Sequence, residues 1–285
     1  MYKLIDGKKI SDQVKADVKL KIAELKKEGK EVCLAVIIVG EDPASKIYVA
    51  NKKKACEALG IKSLEFALPA EIQQRELIDL INTLNSRKNV NGILCQLPLP
   101  RHIDEVAVTG AILPEKDVDG FHAVNVGKML RGEAGLLPCT PAGIIELLER
   151  ENIETEGKNC VVIGRSNIVG KPAAVLMLQK NATVTVCHSK TAGLKEITQN
   201  ADILISSVGK AGFVTADMVK PGATVIDVGI NRKADGKVCG DVRFDEVSKI
   251  AGAITPVPGG VGPMTIAMLM KNTLTAAIAQ QEGEN

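Results

Sequence analysis

Ser45, Tyr48 and Lys52 fall at spacings of three and four within Asp42-Pro-Ala-Ser-Lys-Ile-Tyr-Val-Ala-Asn-Lys52. A helical period puts them on one face with Ala55, Cys56 and Leu59, so a lysine stands on a largely apolar stripe. Two fates are open to it. The side chain can snorkel its ammonium to water along the apolar surface. Alternatively, a lysine kept beside an aromatic ring in a cleft loses hydration, which disfavours the charged form and lets the amine exchange protons near neutral pH. The helix itself is well bounded: Asp42 suits the N-cap, Pro43 the first helical position and Gly60 the position after the C-terminus, which turns Lys53 and Lys54 away from the stripe.

A second constellation lies in the other half of the chain. The strand-like run Cys160-Val-Val-Ile-Gly164 leads into Arg165-Ser-Asn-Ile-Val-Gly170-Lys-Pro172 and then into a helical pattern, Ala173 to Gln179. Free amides and the helix dipole at such a strand–turn–helix can hold a pyrophosphate. The glycines are spaced G-x-x-x-x-x-G, so the Rossmann G-x-G-x-x-G is absent, Ser166 stands where its second glycine would be, and an ordinary βα loop stays open as the other reading. At the end of the next strand the chain reads Cys187-His188-Ser189-Lys190, where an NAD site would place an acidic residue for the ribose hydroxyl. Hydroxyl and cationic groups in that place, with Arg165 on the first turn, suit a 2′-phosphate and favour NADP over NAD. Two further turns, Ile226-Asp-Val-Gly-Ile230-Asn and Thr255-Pro-Val-Pro-Gly-Gly-Val-Gly-Pro-Met-Thr265, follow strand ends and let backbone come close to a ligand.

Positioning these residues calls for alternating strands and helices. The first half predicts a helix over 11–27, a strand over 32–39, the 43–59 helix, a strand over 64–68, a helix over 72–85 and a strand over 92–96. Continuous apolar strands separated by helices of this length imply a parallel sheet covered on both faces. Pro98, Pro100 and Pro114 punctuate a less regular stretch through Gly135, and Thr140-Pro141 opens a helix to Glu151, which marks the crossing between domains. The second half predicts strands over 160–163, 183–186, 203–206, 224–228 and 253–255, and a last helix over 262–280 expected to return to the first half. The fold class is α/β, with two α/β lobes around a cleft and a Rossmann-like C-terminal lobe built on a parallel sheet.

Composition narrows the function classes. The 285 residues are 45% hydrophobic, which suits an ordinary globular protein with room for two domains. A net charge of +2 and an aromatic fraction of 2% leave neither a basic face nor rings for base stacking, which argues against nucleic acid as partner. The first thirty residues carry charges throughout, and no stretch approaches the roughly 18 apolar residues of a membrane span, so the expected location is cytoplasmic and no membrane partner is expected. Seven cysteines, Cys33, Cys56, Cys95, Cys139, Cys160, Cys187 and Cys239, are scattered singly, mostly in apolar runs, and are read as small core residues. His102, His122 and His188 lack metal-ligand spacing, so no metal site is predicted.

Five motifs occur in order: Tyr48-x-x-x-Lys52, Gln96-Leu-Pro-Leu-Pro100, Pro114-Glu-Lys-Asp-Val-Asp-Gly120, Gly164-Arg-Ser-x-Ile-Val-Gly-x-Pro172 and Pro256-Val-Pro-Gly-Gly-Val-Gly-Pro-Met-Thr265. Together they resemble the bifunctional methylenetetrahydrofolate dehydrogenase/cyclohydrolase family of the FolD type, over nearly the whole chain. The resemblance implies a folate-binding catalytic domain over residues 1–139 with 265–285, an NADP-binding Rossmann-like domain over 140–264, and a homodimer joined through the NADP domains. It also implies roles. Lys52 resembles the general acid/base, Tyr48 the residue whose ring packs on the folate, Gln96 the residue that hydrogen-bonds and tunes the lysine, and Asp119 the pterin-binding aspartate. Pro258, Gly259 and Gly260 resemble further substrate contacts, and Gly164, Arg165, Ser166, Ser189 and Ile230 the NADP contacts. Two positions depart from or vary within the family pattern: Ala123 stands where proline is frequent after Phe121-His122, and bacterial members vary at the position of Arg165.

The activity implied is NADP-dependent oxidation of 5,10-methylenetetrahydrofolate to 5,10-methenyltetrahydrofolate, followed by hydrolysis to 10-formyltetrahydrofolate. Hydride transfer needs mainly alignment, whereas hydration needs proton movement, the task of Lys52. A monofunctional NADP-dependent methylenetetrahydrofolate dehydrogenase is the alternative among enzymes, which the intact Tyr48, Lys52 and Gln96 argue against. A non-catalytic regulator that binds NADP or folate is the alternative outside them.

Overall fold

The computed structural model describes residues 2–232 and 235–282. In chain order its elements begin with β1 (Lys3–Leu4), α1 (Gly7–Lys27), β2 (Cys33–Val39), α2 (Pro43–Leu59), β3 (Lys62–Leu68), α3 (Gln74–Ser86), β4 (Gly92–Cys95), α4 (Glu105–Ala111), α5 (Ala123–Arg131) and α6 (Cys139–Arg150). They continue with β5 (Asn159–Ile163), α7 (Gly170–Gln179), β6 (Thr183–Cys187), α8 (Leu194–Thr198), β7 (Ile203–Ser206) and β8 (Thr224–Asp227). The hairpin β9 (Asn231–Arg232) and β10 (Val238–Cys239), then α9 (Phe244–Val247), β11 (Ala253–Ile254) and α10 (Val261–Glu282), complete the chain. Two compact units result: residues 13–139 with 266–285, and residues 1–12 with 140–265.

The first unit is organised by β2, whose seven residues are all apolar and all buried. Such a strand needs cover on both faces, and it lies at the centre of a three-stranded parallel sheet of order β3-β2-β4. Helix α2 keeps its expected bounds because the Asp42 carboxylate accepts from Ser45 N at 2.7 Å and Gly60, at φ 79°, returns its N–H to the Cys56 and Glu57 carbonyls. In α3 the spacing of Leu77, Ile81 and Leu84 places all three in the core with Ile37, Ile93 and Cys95. The stretch between Pro98 and Gly135, expected to be irregular, holds two short helices, α4 before Pro114 and α5 after it. Asp104 caps α4 by accepting from Val106 N at 2.8 Å, and His122 Nδ1 caps α5 by accepting from Val124 N at 3.1 Å.

The second unit carries a parallel six-stranded sheet of order β1-β11-β8-β7-β5-β6. Its edge strand β1 is a correction to the expected domain ranges. Lys3 and Leu4 pair with Ala253 and Ile254, and Lys8 N donates to the Gly259 carbonyl at 3.0 Å, so residues 1–12 sit here rather than with residues 13–139. Two residues are too few for a periodic signal, which is why this strand escapes a sequence pattern. Helix α7 starts three residues before its expected first residue, Ala173, because Pro172 fits a first turn, where no backbone N–H is required.

All seven cysteines are free thiols, six of them buried and Cys239 half-buried. Burial pushes the Cys56 and Cys95 thiols up to about 12, which keeps them protonated and inert. Among the described residues no helix is long and apolar enough to cross a membrane.

The buried stripe of α3 generates a stability test. Leu77→Ala leaves a cavity under β2 and is expected to cost about 2–5 kcal/mol, whereas Arg75→Ala on the exposed face is expected to cost under about 0.5 kcal/mol. Urea unfolding of both variants measures the difference, and equal costs would refute the placement of this helix.

Candidate active site

Lys52 is buried, at 8% exposure, and its Nζ donates to Gln96 Oε1 at 2.9 Å. The ammonium therefore has not snorkelled to water. The buried stripe of α2 consists of Ser45, Val49, Lys52, Cys56 and Leu59, with Ala55 half-buried. Tyr48, expected within the stripe, stands at its margin with 38% of its surface exposed, one turn before Lys52. An exposed ring beside a buried amine can pack on a flat ligand without losing an interior contact.

Gln96 follows β4 directly, and its backbone N donates to the Ile37 carbonyl at 2.8 Å, so it extends β4 alongside β2. Its Nε2 donates to the Leu97 carbonyl at 2.7 Å, which leaves Oε1 for the lysine. Glutamine is suited to this place because it offers an acceptor and spends its own donors locally.

Asp119 is delivered by the segment beyond α4. Ile93 N donates to the Lys116 carbonyl at 2.8 Å, and Asp117 bridges to Ile93, so residues 116–117 run parallel to β4. Lys116 is buried, and its Nζ donates to the Asn85 and Arg87 carbonyls, each at 2.8 Å, capping the end of α3. The Asp117 carboxylate accepts from His122 N at 2.8 Å and from Asn125 Nδ2 at 2.9 Å. Asn272 of α10 donates to the Val118 and Leu137 carbonyls, each at 2.8 Å. The Asp119 backbone is thus clamped on both sides, and its half-buried side chain feels the charge of Lys52, whose partner Gln96 leaves the carboxyl end of β4, the edge at which α/β sheets bind ligands.

Lys116, Asp117, Asn125 and Asn272 were not singled out from the sequence. A signal existed for Asn272, an amide inside the apolar run of α10, and for Asp117, the first carboxylate of Asp117-Val-Asp119. The partners of Asn272 lie 154 and 135 positions away, whereas those of Asp117 are five and eight residues on.

The second unit holds the other expected residues. Gly164 ends β5 at φ 127°, and a β-carbon there would lie 2.4 Å from Ser207 Oγ, so only glycine fits. Ser166 Oγ accepts from Val169 N at 3.2 Å and from Gly170 N at 3.3 Å, which fastens the turn to the start of α7. Ile163 pairs with Cys187 in adjacent parallel strands, so Arg165 and Ser189, each two residues beyond a paired end, project from neighbouring strand ends, and both are exposed. A cation and a hydroxyl at this edge, a tight glycine turn and a helix N-terminus fit NADP. Ile230, half exposed, follows β8, and a β-carbon on Gly262 would lie 3.8 Å from its Cδ1. Pro258, Gly259 and Gly260 form the turn between β11 and α10, tied to the N-terminal segment through Lys8. Among the described residues no three His, Cys, Asp or Glu side chains are grouped to hold a metal ion.

Burial pushes the Asp119 carboxyl up to about 6; the Lys52 ammonium opposes this and the Asp117 charge adds to it. A folded value above the ordinary one of about 3.9 means that the folded protein binds this proton more tightly, so the group's contribution to stability falls as pH rises from about 4 to about 6. The site carries an ionised Asp119 only above that window. Lys52→Met removes the opposing charge and is expected to move the Asp119 titration upward. Carboxyl NMR titration of both proteins measures it, and an unchanged value would refute the electrostatic contact between the two groups.

Two family profiles match the chain: tetrahydrofolate dehydrogenase/cyclohydrolase, catalytic domain, over residues 5–119, and tetrahydrofolate dehydrogenase/cyclohydrolase, NAD(P)-binding domain, over residues 138–281. The bifunctional protein FolD of Agathobacter rectalis is 62% identical over 276 residues, covering 97% of this chain and 99% of its own. The crystal structure of the bifunctional FolD dehydrogenase/cyclohydrolase from Campylobacter jejuni superposes with a TM-score of 0.97 at 52% identity, covering 98% of this chain and 99% of that one. The Trypanosoma brucei enzyme, solved with NADP cofactor and an inhibitor, superposes with a TM-score of 0.93 at 40% identity over 98% of each chain. The chain belongs to the tetrahydrofolate dehydrogenase/cyclohydrolase family.

Proposed function

We infer that this protein is a bifunctional one-carbon folate enzyme: it oxidises 5,10-methylenetetrahydrofolate to 5,10-methenyltetrahydrofolate with NADP⁺ and then hydrolyses the product to 10-formyltetrahydrofolate. The observation that carries the second activity is the buried Lys52 ammonium bonded to Gln96 beside Asp119. A dehydrogenase needs no such group, because hydride transfer is limited by alignment, while hydration of a methenyl carbon requires a proton to leave water and another to reach the departing ring nitrogen.

The residue roles follow from the chemistry of each side chain. Lys52, with one N–H committed to Gln96, takes a proton from the attacking water and returns it to the ring nitrogen as the five-membered ring opens, while the remaining hydroxyl proton leaves to solvent as the formyl carbonyl forms. Gln96 sets the direction of the Lys52 side chain through that hydrogen bond. Asp119 accepts from the guanidine-like edge of the pterin through charge-assisted hydrogen bonds. The exposed face of Tyr48 packs on the folate ring system, and the Pro258-Gly259-Gly260 backbone supplies further substrate contacts. When bound, NADP⁺ accepts the hydride. Gly164, Arg165, Ser166, Ser189 and Ile230 hold it, with Arg165 and Ser189 on the 2′-phosphate. Family resemblance also supports a homodimer through the cofactor-binding units and work in the cytoplasm, and the catalytic-domain match over residues 5–119 supports the unit that carries Lys52 as the folate side.

Lys52→Met is expected to lower cyclohydrolase turnover by at least about 10²–10⁴-fold, the usual worth of general acid/base catalysis, while NADP⁺ binding persists. Hydrolysis of supplied 5,10-methenyltetrahydrofolate, followed by its absorbance, measures this. Wild-type turnover in the folded variant would remove Lys52 from the reaction and assign the proton transfer to another group.

Cofactor choice is tested at the other unit. Charged hydrogen bonds contribute about 1.5–3 kcal/mol each, so replacing Arg165 and Ser189 with alanine is expected to weaken NADP⁺ by about tenfold or more per contact and NAD⁺ far less. Calorimetric titration of both cofactors into both proteins decides it; equal losses would reassign the pocket.

A further inference from the structure

Asp241 lies outside every motif assigned above, yet its side chain is wholly buried and saturated with hydrogen bonds. Its Oδ2 accepts from Val208 N at 2.7 Å, Gly209 N at 3.2 Å and Ser206 Oγ at 3.3 Å. Its Oδ1 accepts from Lys210 N at 2.9 Å and Asn231 Nδ2 at 3.0 Å. All five donors are neutral, and three are consecutive backbone amides of the turn that follows β7. A carboxylate is the one side chain of this size that accepts at both oxygens and donates nothing, so an amide in its place would turn a donor toward donors. Asp227, at the end of β8, fixes the main chain of Asp241 in turn: it accepts from Asp241 N, Gly229 N and Val242 N, each at 2.9 Å. The turn at Gly229 packs directly on Asp241, for a β-carbon there would lie 2.3 Å from Oδ1.

Sheet order says what these turns face. The chain runs from β5 to β6 on one side and then crosses to β7 and β8 on the other, so the topological switch point lies between β5 and β7, where a dinucleotide straddles the carboxyl edge. Arg165 and Ser189 occupy the β6 side, which leaves the β7–β8 side for the nicotinamide half. The turn held by Asp241 begins at Ser207, whose N and Oγ donate to the Ile163 carbonyl at 2.8 Å and 3.2 Å, directly beside Gly164 of the cofactor turn.

We propose that Asp241 is a positioning residue for the nicotinamide half of the cofactor, because one buried carboxylate locks the 207–210 turn and the 229–231 turn together at the switch point. The proposal rests on the cofactor site described under Proposed function. Asp241 touches no reacting atom; it acts through the backbone amides that it orients and through Asn231, adjacent to Ile230.

The test compares the wild type with Asp241→Asn and with the milder Asn231→Ala, each as the full chain. Three quantities are measured: the Kd of NADP⁺, the Kd of 2′,5′-ADP as a probe of the adenosine half alone, and hydrolysis of supplied 5,10-methenyltetrahydrofolate, which requires no cofactor chemistry. In Asp241→Asn the expected result is an NADP⁺ affinity weakened by about tenfold or more, as for loss of charge-assisted bonds, with 2′,5′-ADP binding and hydrolysis within about twofold of wild type. Asn231→Ala is expected to show the same selective pattern with a smaller loss, and it carries the test if Asp241→Asn does not fold. Unchanged NADP⁺ affinity overturns the proposal. So does an equal loss of NADP⁺ and 2′,5′-ADP, which would make Asp241 a support of the whole unit. If 2′,5′-ADP fails to compete with NADP⁺ on the wild type, the cofactor site itself is wrong and the proposal falls with it.

Discussion

A lysine ammonium taken out of water must be given acceptors, and in the first unit that requirement organises the site. Lys52 sits on the buried face of α2 because Val49, Cys56 and Leu59 carry that face into the core, and its charge is tolerated because Gln96 and Asp119 arrive from other strands and loops. Each of those two residues needs its own supports. Gln96 is oriented by its bond to the Leu97 carbonyl, and Asp119 by the clamps at Lys116, Asp117 and Asn272. Loss of one partner would strand a buried charge, a cost larger than the net worth of the hydrogen bond removed.

The second unit solves a comparable problem with the opposite sign. Its sheet ends in turns whose backbone N–H groups point inward, and Asp227 and Asp241 supply the acceptors. Burial pushes the Asp227 carboxyl up to about 6, even with three backbone amides pulling it down. Buried carboxylates cost solvation, and they persist here because most of the donors they satisfy are main-chain N–H groups of the turns, joined at Asp241 by Ser206 Oγ and Asn231 Nδ2. The same edge carries the exposed Arg165 and Ser189, so one end of the sheet presents charge to a ligand while its neighbouring turns are fixed from inside.

These two arrangements divide the chemistry. The proposed function gives proton movement to the unit where Lys52 and Gln96 are hydrogen-bonded and Asp119 is electrostatically coupled to the lysine. Dinucleotide binding belongs to a unit where parallel strand ends, a glycine turn and a helix N-terminus meet. Hydride transfer asks little of acid or base and much of alignment. In the proposed function, the turns fixed at the switch point serve the oxidation as Lys52 serves the hydrolysis.

Local chemistry made much of this legible in the amino-acid sequence. Asp42, Pro43 and Gly60 bound α2 through capping that involves only near neighbours, and uninterrupted apolar strands such as Cys33–Val39 and Cys160–Ile163 declared parallel sheets. Lys52 stood out by its place on an apolar stripe, Arg165 and Ser189 by the missing acidic residue, and Gln96 and Asp119 only through the motifs that resemble the family's. Tertiary structure alone decided what those residues touch. The bond from Lys52 to Gln96 spans 44 positions, and Asn272 reaches the Asp119 loop across 154. Residues 1–12 join the second unit through a two-residue strand with no pattern of its own, and Asp241 meets its turn only because β7 and β8 lie side by side. Periodicity and capping report forces that act within a helical turn or a strand, whereas burial, carboxylate pKa and long-range hydrogen bonds depend on which surfaces the folded chain brings together.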